Sequence, residues 1–484
     1  MAKPGITLLG LGPGNPELLT RRAWALLGEI SEIYLRTRQH PVVAGFPPEL
    51  LVHSFDDLYK TQSTFEDVYA QIVDKVIELG GRSGGVVYAV PGHPFIAETT
   101  CLEIYRRARV ENIPVQVIEG LSFLEPVLTA VGRDLLPHIS LVDALELATS
   151  HVPPFPPSAP AIIAQIHSRF VASDVKLVLM SVYPDEHPVQ LVHAAGTSEE
   201  RIEPLALHEI DHSEHIGLLT ALYIPPLAPA TSFEAFQEII AHLRAPNGCP
   251  WDRKQTHQTL RSHLLEEAYE VLAALDADDP AAMREEFGDL LLQIVLHAQI
   301  ASEYGEFNMA EVLQGIHTKI VRRHPHVFGD LELKDVEGVL LNWEKLKAAE
   351  REDAGKTGTG LMDGVALALP ALVQAHEYQD RAARVGFEWT TIQGVYEKLL
   401  EEVAEVQAAA TPEDRAAEIG DLLFSAVNLA RWLKVEPESV LREANQRFRQ
   451  RFAHIEAAAR SQGKSVSDLS LDEMEALWQA AKHT

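Results

Sequence analysis

The sequence is poor in cysteine, in basic residues and in long apolar runs. Cys101 and Cys249 are the only cysteines among 484 residues, too few for a disulfide framework and without the paired spacing of a structural zinc site. Lysine and arginine number 41 against 70 aspartates and glutamates, a formal net charge of −29. This balance argues against nucleic acid or an anionic membrane as a partner, because both need a basic surface. An acidic protein that handles phosphates must recruit cations.

No stretch approaches the roughly 20 apolar residues that cross a bilayer as a helix. The apolar run at 5–14 is interrupted by glycines and a proline, which predicts a first strand and its loop rather than a signal peptide. We therefore expect a soluble cytoplasmic protein. The length favours two to four domains.

The N-terminal half alternates short apolar or β-branched runs with helical patterns, which predicts a parallel α/β architecture. The predicted strands include 6–9, 85–90, 115–118, 162–166 and 176–180. Two proline-rich stretches, 152–160 and 224–229, interrupt the pattern, because proline continues neither a helix nor a central strand. We expect the first stretch to join two lobes, about 1–150 and 161–224, and the second to close a domain at 1–228.

The C-terminal half changes to long amphipathic helices rich in alanine, leucine, glutamate and arginine, which predicts an all-α architecture. A polar, glycine-containing segment at 350–360 is typical of a flexible connection. It separates two predicted helical units, 231–355 and 361–484.

The two helical units repeat one another. Glu266-Glu267-Ala-Tyr-Glu270 recurs 135 residues later as Glu401-Glu402-Val-Ala-Glu405, and Glu286-Phe-Gly-Asp289 recurs 132 residues later as Glu418-Ile-Gly-Asp421. Further along, Lys319 and Arg323 correspond to Arg447 and Arg451, each at an offset of 128 residues. An internal duplication explains these correspondences.

In each copy the spacing predicts five acidic side chains around one groove. Residues i, i+1 and i+4 of a helix lie within an arc of about 100°, and the ExxD pair shares one face of the following helix. Apolar neighbours are predicted to bury the helix pair, and the glycine inside each ExxD motif is predicted to let the helices approach closely. These residues are Leu399, Leu400, Val403, Val406, Leu422 and Leu423, with Gly288 and Gly420.

A cluster of carboxylates repels itself unless cations compensate it. Magnesium prefers oxygen ligands and bridges protein carboxylates to substrate phosphates, so the groove suits hydrolysis of a phosphoanhydride. The alternative is that the glutamates form a solvated helical face, as most acidic runs do. Recurrence of the same five positions in two copies favours the metal site.

Cationic and aromatic residues are candidates for holding the substrate. Arg447 and Arg451 share one stripe of the last long helix and are predicted to clamp phosphate, with Lys319 and Arg323 as their counterparts. Trp251, together with Trp343 and Trp389, is a candidate for stacking on a base, or else a core or lid residue.

The C-terminal half resembles MazG proteins. The motifs at 247–252, 255–257, 265–270, 286–292 and 322–328 resemble the first MazG repeat, and those at 369–372, 379–383, 385–389, 401–405, 418–421 and 427–431 continue the resemblance. Together they cover nearly all of residues 231–484.

This resemblance implies an all-α nucleoside triphosphate pyrophosphohydrolase, usually dimeric, that binds Mg²⁺, with Mn²⁺ as the alternative. It implies cleavage of NTPs and dNTPs to monophosphate and diphosphate, for housecleaning of nucleotide pools. The implied metal ligands are the ten carboxylates of the two copies, and the implied catalytic residues are the five of the second copy, Glu401, Glu402, Glu405, Glu418 and Asp421. The second copy keeps Asn428, Arg447 and Arg451 where the first has Leu296, Lys319 and Arg323, so we expect the second site to be the active one.

The N-terminal half is similar to tetrapyrrole (corrin/porphyrin) methylases, through the pieces at 10–20, 88–94 and 119–123. The resemblance implies S-adenosylmethionine in a cleft between two α/β lobes. The implied cofactor-binding residues are Gly10, Gly12, Gly14, Pro91, Gly92, His93, Gly120 and Ser122. His93 stands where the family has aspartate, so we expect a methylase fold joined to MazG rather than an enzyme that methylates a corrinoid.

Two other functions compete with pyrophosphohydrolysis. One is an S-adenosylmethionine-dependent methyltransferase whose helical half is regulatory, which would bind its cofactor tightly without releasing pyrophosphate. The other is a non-catalytic helical scaffold, whose thermal stability would be indifferent to Mg²⁺.

Overall fold

The computed structural model describes residues 5–62, 64–332, 335, 338–339, 342–343, 346, 350 and 360–482. The chain divides into two compact units, 1–249 and 250–484. The interior of the predicted connection at 350–360 lies outside the described residues. Of the helices that are described, none has the length and apolar character needed to span a bilayer.

The first sheet confirms the predicted parallel architecture. Its five strands run in the order β3-β2-β4-β1-β5 and all pair in parallel. The central β4 is buried along its whole length, as expected for a strand covered on both faces. The strands are β1 (Ile6–Gly10), β2 (Glu32–Leu35), β3 (Leu51–Ser54), β4 (Val86–Val90) and β5 (Val115–Ile118). The helices of this region are α1 (Arg21–Glu29), α2 (Leu58–Thr61), α3 (Phe65–Gly80) and α4 (Thr99–Val110).

The second sheet is mixed, and here the expectation of parallel pairing was wrong. Its order is β6-β7-β10-β8-β9, and only β6 and β7 pair in parallel. Because β6 precedes the proline-rich stretch at 152–160, the second sheet begins before that stretch. The strands are β6 (Ser140–Asp143), β7 (Ala161–Ala164), β8 (Pro188–His193), β9 (Arg201–Ala206) and β10 (Thr220–Ile224). The helices are α5 (Leu124–Val131), α6 (Ala144–Ala148), α7 (Arg169–Met180) and α8 (Phe233–Arg244).

The predicted strand at 176–180 was also wrong, because it is the end of helix α7. Ser168 caps this helix by accepting a hydrogen bond from the Val171 amide at 3.3 Å. Val171, Val175, Val178 and Leu179 are buried, at the spacing of one helical face. A short apolar run fits a buried strand and a buried helical turn equally well.

The second unit is helical, as predicted. Its helices are α9 (Arg261–Asp276), α10 (Pro280–Glu303), α11 (Met309–Arg323), α12 (Pro325–Phe328), α13 (Ala371–Arg384), α14 (Ile392–Ala408), α15 (Pro412–Trp432), α16 (Pro437–Ser461) and α17 (Leu471–Ala481). Helices α9 and α10 pack as a hairpin, and α14 and α15 pack as its duplicate.

The same local chemistry starts the second helix of each hairpin. Pro280 and Pro412 occupy the first helical position, where proline needs no hydrogen-bond partner. The side chains of Asp279 and Thr411 cap the helices by accepting backbone hydrogen bonds. These caps place the two ExxD motifs alike in their hairpins.

Candidate active site

Three carboxylates of the second repeat meet between α14 and α15. One oxygen each from Glu402, Glu405 and Glu418 lies within 4.8 Å of the others. Glu402 is only 4% exposed, and its Oε2 has no hydrogen-bond partner among the described residues. Loss of hydration and the neighbouring carboxylates raise the pKa of Glu405, although Lys398 opposes them. This cluster is short of positive charge, as a metal site without its ion would be.

Lys398 lies beside the cluster, one turn before the paired glutamates on α14. Its Nζ is 2.8 Å from Glu402 Oε1 and 2.9 Å from Glu401 Oε1, and hydrogen bonds to these two carboxylates raise the pKa of Lys398. Glu401 thus pairs with lysine, and the exposed Asp421 lies one turn beyond Glu418. We had not singled out Lys398 from the sequence, although its spacing of three and four residues before two glutamates is typical of helical ion pairs.

The first repeat forms a similar cluster from Glu267, Glu270 and Glu286, again within 4.8 Å. Loss of hydration, followed by the charge of Asp289, raises the pKa of Glu267. The counterpart of Lys398 is His263, whose Nδ1 lies 3.7 Å from Glu266 Oε2. Glu267 is only partly buried, whereas its counterpart Glu402 is buried.

Two expectations about the packing of the hairpins were wrong. Leu400, Val403 and Leu423 are exposed rather than buried between α14 and α15, while Leu399, Val406 and Leu422 are partly buried. A Cβ built on Gly288 or on Gly420 meets no atom within 4 Å, so neither glycine is needed for close helix approach. Both errors have one cause. The spacing of residues shows which face of a helix is apolar or small, but it does not show which neighbouring helix packs on that face.

One of the two candidate arginines of α16 lies beside an aromatic residue of α17. The Arg451 guanidinium is 5.5 Å from the centroid of the Trp478 ring, a cation–π distance. The ring of Phe448 packs against the same tryptophan, with 5.3 Å between the two ring centroids. Arg447 pairs with Glu443 at 3.2 Å. We had not singled out Trp478, because nothing in its spacing links it to the arginines.

The corresponding arginine of the first repeat is bound to a carboxylate. Arg323 donates two hydrogen bonds to Glu350, at 3.1 and 2.5 Å, and Arg322 lies 2.6 Å from the same side chain. These contacts lower the pKa of Glu350 to about 2. Lys319 is exposed on the preceding turn.

Two further candidates for substrate binding differ in their surroundings. Asn428, on α15, accepts hydrogen bonds from Arg431 through its side-chain oxygen. Trp251 is exposed, and its ring centroid lies 6.3 Å from that of His263 in an edge-to-face arrangement.

In the first unit, glycines of three loops meet at the carboxyl edge of the first sheet. A Cβ on Gly10 would lie 2.5 Å from the Gly120 nitrogen, and a Cβ on Gly120 would lie 2.4 Å from the Gly92 oxygen. Gly12 and Gly92 exchange two backbone hydrogen bonds, at 3.2 and 2.8 Å, with φ values of 71° and 67°. Glycine is therefore required where these loops approach one another.

The remaining N-terminal candidates either form hydrogen bonds with residues close in sequence or lie against a residue of the second lobe. His93, which follows Pro91 and Gly92, accepts a hydrogen bond from the Phe95 backbone amide at its Nδ1. The Ser122 hydroxyl donates a hydrogen bond to the Glu125 carboxylate. A Cβ on Gly14 would lie 3.0 Å from Thr197 Cγ2.

His40 was not a candidate from the sequence, yet it is 5% exposed beside these loops. Neither of its ring nitrogens makes a well-formed hydrogen bond to a described residue. Burial lowers the pKa of His40 to about 4, which the Gly12 backbone offsets only in part.

Comparison with known families follows this division of the chain. Residues 5–211 match the Tetrapyrrole (Corrin/Porphyrin) Methylases, residues 255–328 match the MazG nucleotide pyrophosphohydrolase domain, and residues 374–448 match Phosphoribosyl-ATP pyrophosphohydrolase.

Relatives cover the whole chain or its helical half. "Uncharacterized protein YabN" of Bacillus subtilis is 41% identical over 99% of this chain and 98% of its own. "Nucleoside triphosphate pyrophosphohydrolase/pyrophosphatase MazG" of Thermotoga maritima is 42% identical over 52% of this chain and 95% of its own. Among solved structures, the uroporphyrin-III C-methyltransferase of Thermus thermophilus with S-adenosyl homocysteine is 22% identical, covering 46% of this chain and 96% of its own, with a TM-score of 0.34.

An α/β domain followed by two acidic helical hairpins defines the class as a pyrophosphohydrolase joined to a methylase-like domain. The chain belongs to the MazG family and is a nucleoside triphosphate pyrophosphohydrolase.

Proposed function

We propose that the second repeat hydrolyses NTPs and dNTPs to the nucleoside monophosphate and pyrophosphate in a reaction that needs Mg²⁺. The observation that carries the proposal is the oxygen of Glu402 that is buried within a carboxylate cluster and has no partner among the described residues. Lys398 reaches only the other oxygen of this carboxylate; a buried polar oxygen without a partner is costly, and a divalent cation would remove that cost.

The residues present fit such a cation. Glu402, Glu405 and Glu418 offer hard oxygen ligands within one small volume, and Asp421 is the candidate for a further ligand on α15. When bound, Mg²⁺ neutralises charge on the phosphates and orients a water molecule. Mn²⁺ suits the same oxygen ligands.

Other side chains would bind different parts of the nucleotide. Lys398 supplies a cation at the carboxylates, Arg447 and Arg451 supply cations for the phosphate chain, and Trp478 offers a ring on which a base can stack. In the reaction, the oxygen of water bonds to the α-phosphorus and the bond from that phosphorus to the bridging oxygen breaks. Pyrophosphate leaves with the electron pair of that bond, and the water proton passes to solvent.

The two repeats are unequal in ways that favour the second. Each arginine lies over a tryptophan ring, Arg451 over Trp478 and Arg323 over Trp343, but Arg323 is also neutralised by Glu350. The second repeat also has the buried Glu402 with its lysine, whereas the first has a partly buried Glu267 and a histidine at the lysine's position.

We also propose a homodimer through the hairpins. Leu400 and Leu423 are 68% and 56% exposed, and Ile419 and Phe424 are exposed on the same hairpin. Large apolar side chains exposed together on one hairpin suit an interaction surface, and the same hairpin of a second copy offers the same side chains by symmetry.

Pyrophosphate release from a panel of NTPs and dNTPs tests the assignment. Glu402→Gln combined with Asp421→Asn is expected to abolish release with the fold intact. The matched control is Glu267→Gln with Asp289→Asn in the first repeat, which is expected to retain activity. Full activity of the first double variant together with loss in the second would reverse the assignment.

S-adenosylmethionine binding at the N-terminal domain is a separate proposal. It is supported by the family match over 5–211 and by the three loops that meet at one sheet edge. Calorimetric titration with S-adenosylhomocysteine tests it, and absence of binding heat together with an unchanged melting temperature would reject it.

A further inference from the structure

The side chain of Asn428 is held by an arginine on its own helix. The Asn428 side-chain oxygen accepts hydrogen bonds from Arg431 Nη2 at 2.8 Å and from Arg431 Nε at 3.2 Å. The two residues are three apart on α15, where their side chains are neighbours. The Arg431 side chain is only 12% exposed, so this contact is protected from water.

Arg431 is in turn held by residues that precede α14. One oxygen of Glu388 pairs with Arg431, and the other accepts the Trp432 indole and the Trp389 amide, each at 2.8 Å. Despite loss of hydration, the bonds from Arg431 and Trp432 keep the pKa of Glu388 below its usual value. Because both oxygens of Glu388 are used, the Arg431 fork has a fixed orientation.

This arrangement determines what Asn428 can recognise. A side-chain amide has one oxygen that accepts and one nitrogen that donates two hydrogen bonds. The Asn428 oxygen accepts two hydrogen bonds, both from Arg431, which leaves the two N–H groups for a ligand. An amide that was free to flip could offer either end, whereas this one offers donors only.

Helix geometry places these donors beyond the phosphate-binding end of the groove. Asn428 follows Asp421 by seven residues, about two turns and about 10 Å along the same face of the helix. Phosphates held at the carboxylates would therefore place the nucleoside near Asn428.

We propose that Arg431 is a positioning residue that makes Asn428 a donor-only contact for a hydrogen-bond acceptor on the nucleoside, a sugar oxygen or an acceptor on the base. The inference rests on the proposed function of the second repeat. It adds to that function that Asn428 contacts the nucleoside, that Asn428 does so as a hydrogen-bond donor, and that Arg431 determines this direction.

The first repeat lacks this arrangement. Leu296 and Gln299 occupy the positions of Asn428 and Arg431. Leu296 is buried, and the Gln299 amide donates to Glu303 at 3.2 Å. The donor-only contact therefore belongs to one copy of the duplication.

Asn428→Asp is the decisive variant, because aspartate keeps the size of the side chain and a partner for Arg431 but has no N–H to donate. We expect KM for the preferred nucleotide to rise by about tenfold or more, since a buried acceptor facing a carboxylate loses its bond and is repelled, with kcat little changed. Asn428→Ala should raise KM similarly, and it serves as the second variant if the aspartate variant does not fold.

Arg431 is tested through its coupling to Asn428. Arg431→Gln should raise KM in the wild-type background but not in the Asn428→Ala background, because a positioning residue has nothing to orient there. Arg431→Lys, which keeps a cationic donor, should restore much of the loss. Gln299→Ala, at the equivalent position of the first repeat, is the matched control and should leave KM unchanged.

An unchanged KM in folded Asn428→Asp would overturn the inference, as would additive effects of Arg431→Gln and Asn428→Ala. Failure of the underlying function is distinguishable from either result, because the wild-type chain would then release no pyrophosphate.

Discussion

Lys398 and Glu402 show how single residues prepare the second acidic cluster. A carboxylate that is 4% exposed is costly to bury without a neighbouring cation, and Lys398 is that cation in the absence of metal. The sequence predicted the carboxylates because their spacing on a helix determines a shared face. It did not indicate which of the five would be buried, because burial depends on the neighbouring helix.

We predict that Lys398→Met destabilises the metal-free protein by about 1–3 kcal/mol, because it removes one partner of a buried charge. Mg²⁺ should recover much of this loss by binding the same carboxylates. Urea unfolding with EDTA and with MgCl₂ measures both effects. Lys464→Met, which breaks the exposed pair with Glu473, is the control and should cost little. Equal costs for the two variants would contradict the prediction.

His40 predicts a pH dependence of the first unit. The pKa of His40 is about 4 in the folded protein against about 6.5 for a solvated histidine, so the unfolded state binds the proton first as the pH falls. Stability from this residue is therefore complete above about pH 6.5 and decreases toward pH 4, by up to about 3 kcal/mol. His40→Phe should flatten that decrease relative to wild type in urea unfolding followed between pH 8 and pH 5. Parallel curves would show that His40 does not contribute.

At the scale of elements, the strength of the sequence pattern decided what could be predicted. Long amphipathic helices and the fully buried β4 were evident, because many residues repeat one signal. Strands β2, β3 and β6 have one β-branched residue each, too weak a signal to predict a strand, whereas β5, equally four residues long, has three. The run at 176–180 fitted two structures. The mixed pairing of the second sheet depends on chain topology, which local patterns do not report.

The end of helix α11 allows a prediction about local stability. Glu350 forms ion pairs with Arg322 and Arg323, both in the last turn of this helix. Glu350→Gln removes the charge while keeping the size, so we expect faster amide hydrogen exchange in the last turns of α11, with α16 unchanged as the internal reference. Exchange that stayed the same in both helices would mean that the pairs with Arg322 and Arg323 do not hold the helix end.

At the scale of the whole molecule, the duplication explains both the similarity and the inequality of the two acidic sites. The hairpins share caps, carboxylate spacing and an exposed apolar face, whereas the groups around them have diverged. The first copy has His263, Leu296 and an arginine bound by Glu350 where the second has Lys398, Asn428 and Arg451. These differences are the ones expected if the second copy binds the triphosphate, as we propose, and the first has kept mainly the architecture.

The exposed apolar face leads to a prediction about assembly. Light scattering after size-exclusion chromatography should give twice the 53.5 kDa mass of the chain, since the hairpin of a second copy would bury Leu400 and Leu423. Leu400→Asp with Leu423→Asp should give the single-chain mass with unchanged circular dichroism, because two buried carboxylates on each side cost more than the lost apolar contact alone. Leu471→Asp is the control, since Leu471 is 77% exposed at the start of α17, away from the hairpin sequence. A wild-type chain that ran at its own mass at high concentration would rule out the hairpin dimer, and a dimer that survived the double substitution would place the interface on another face.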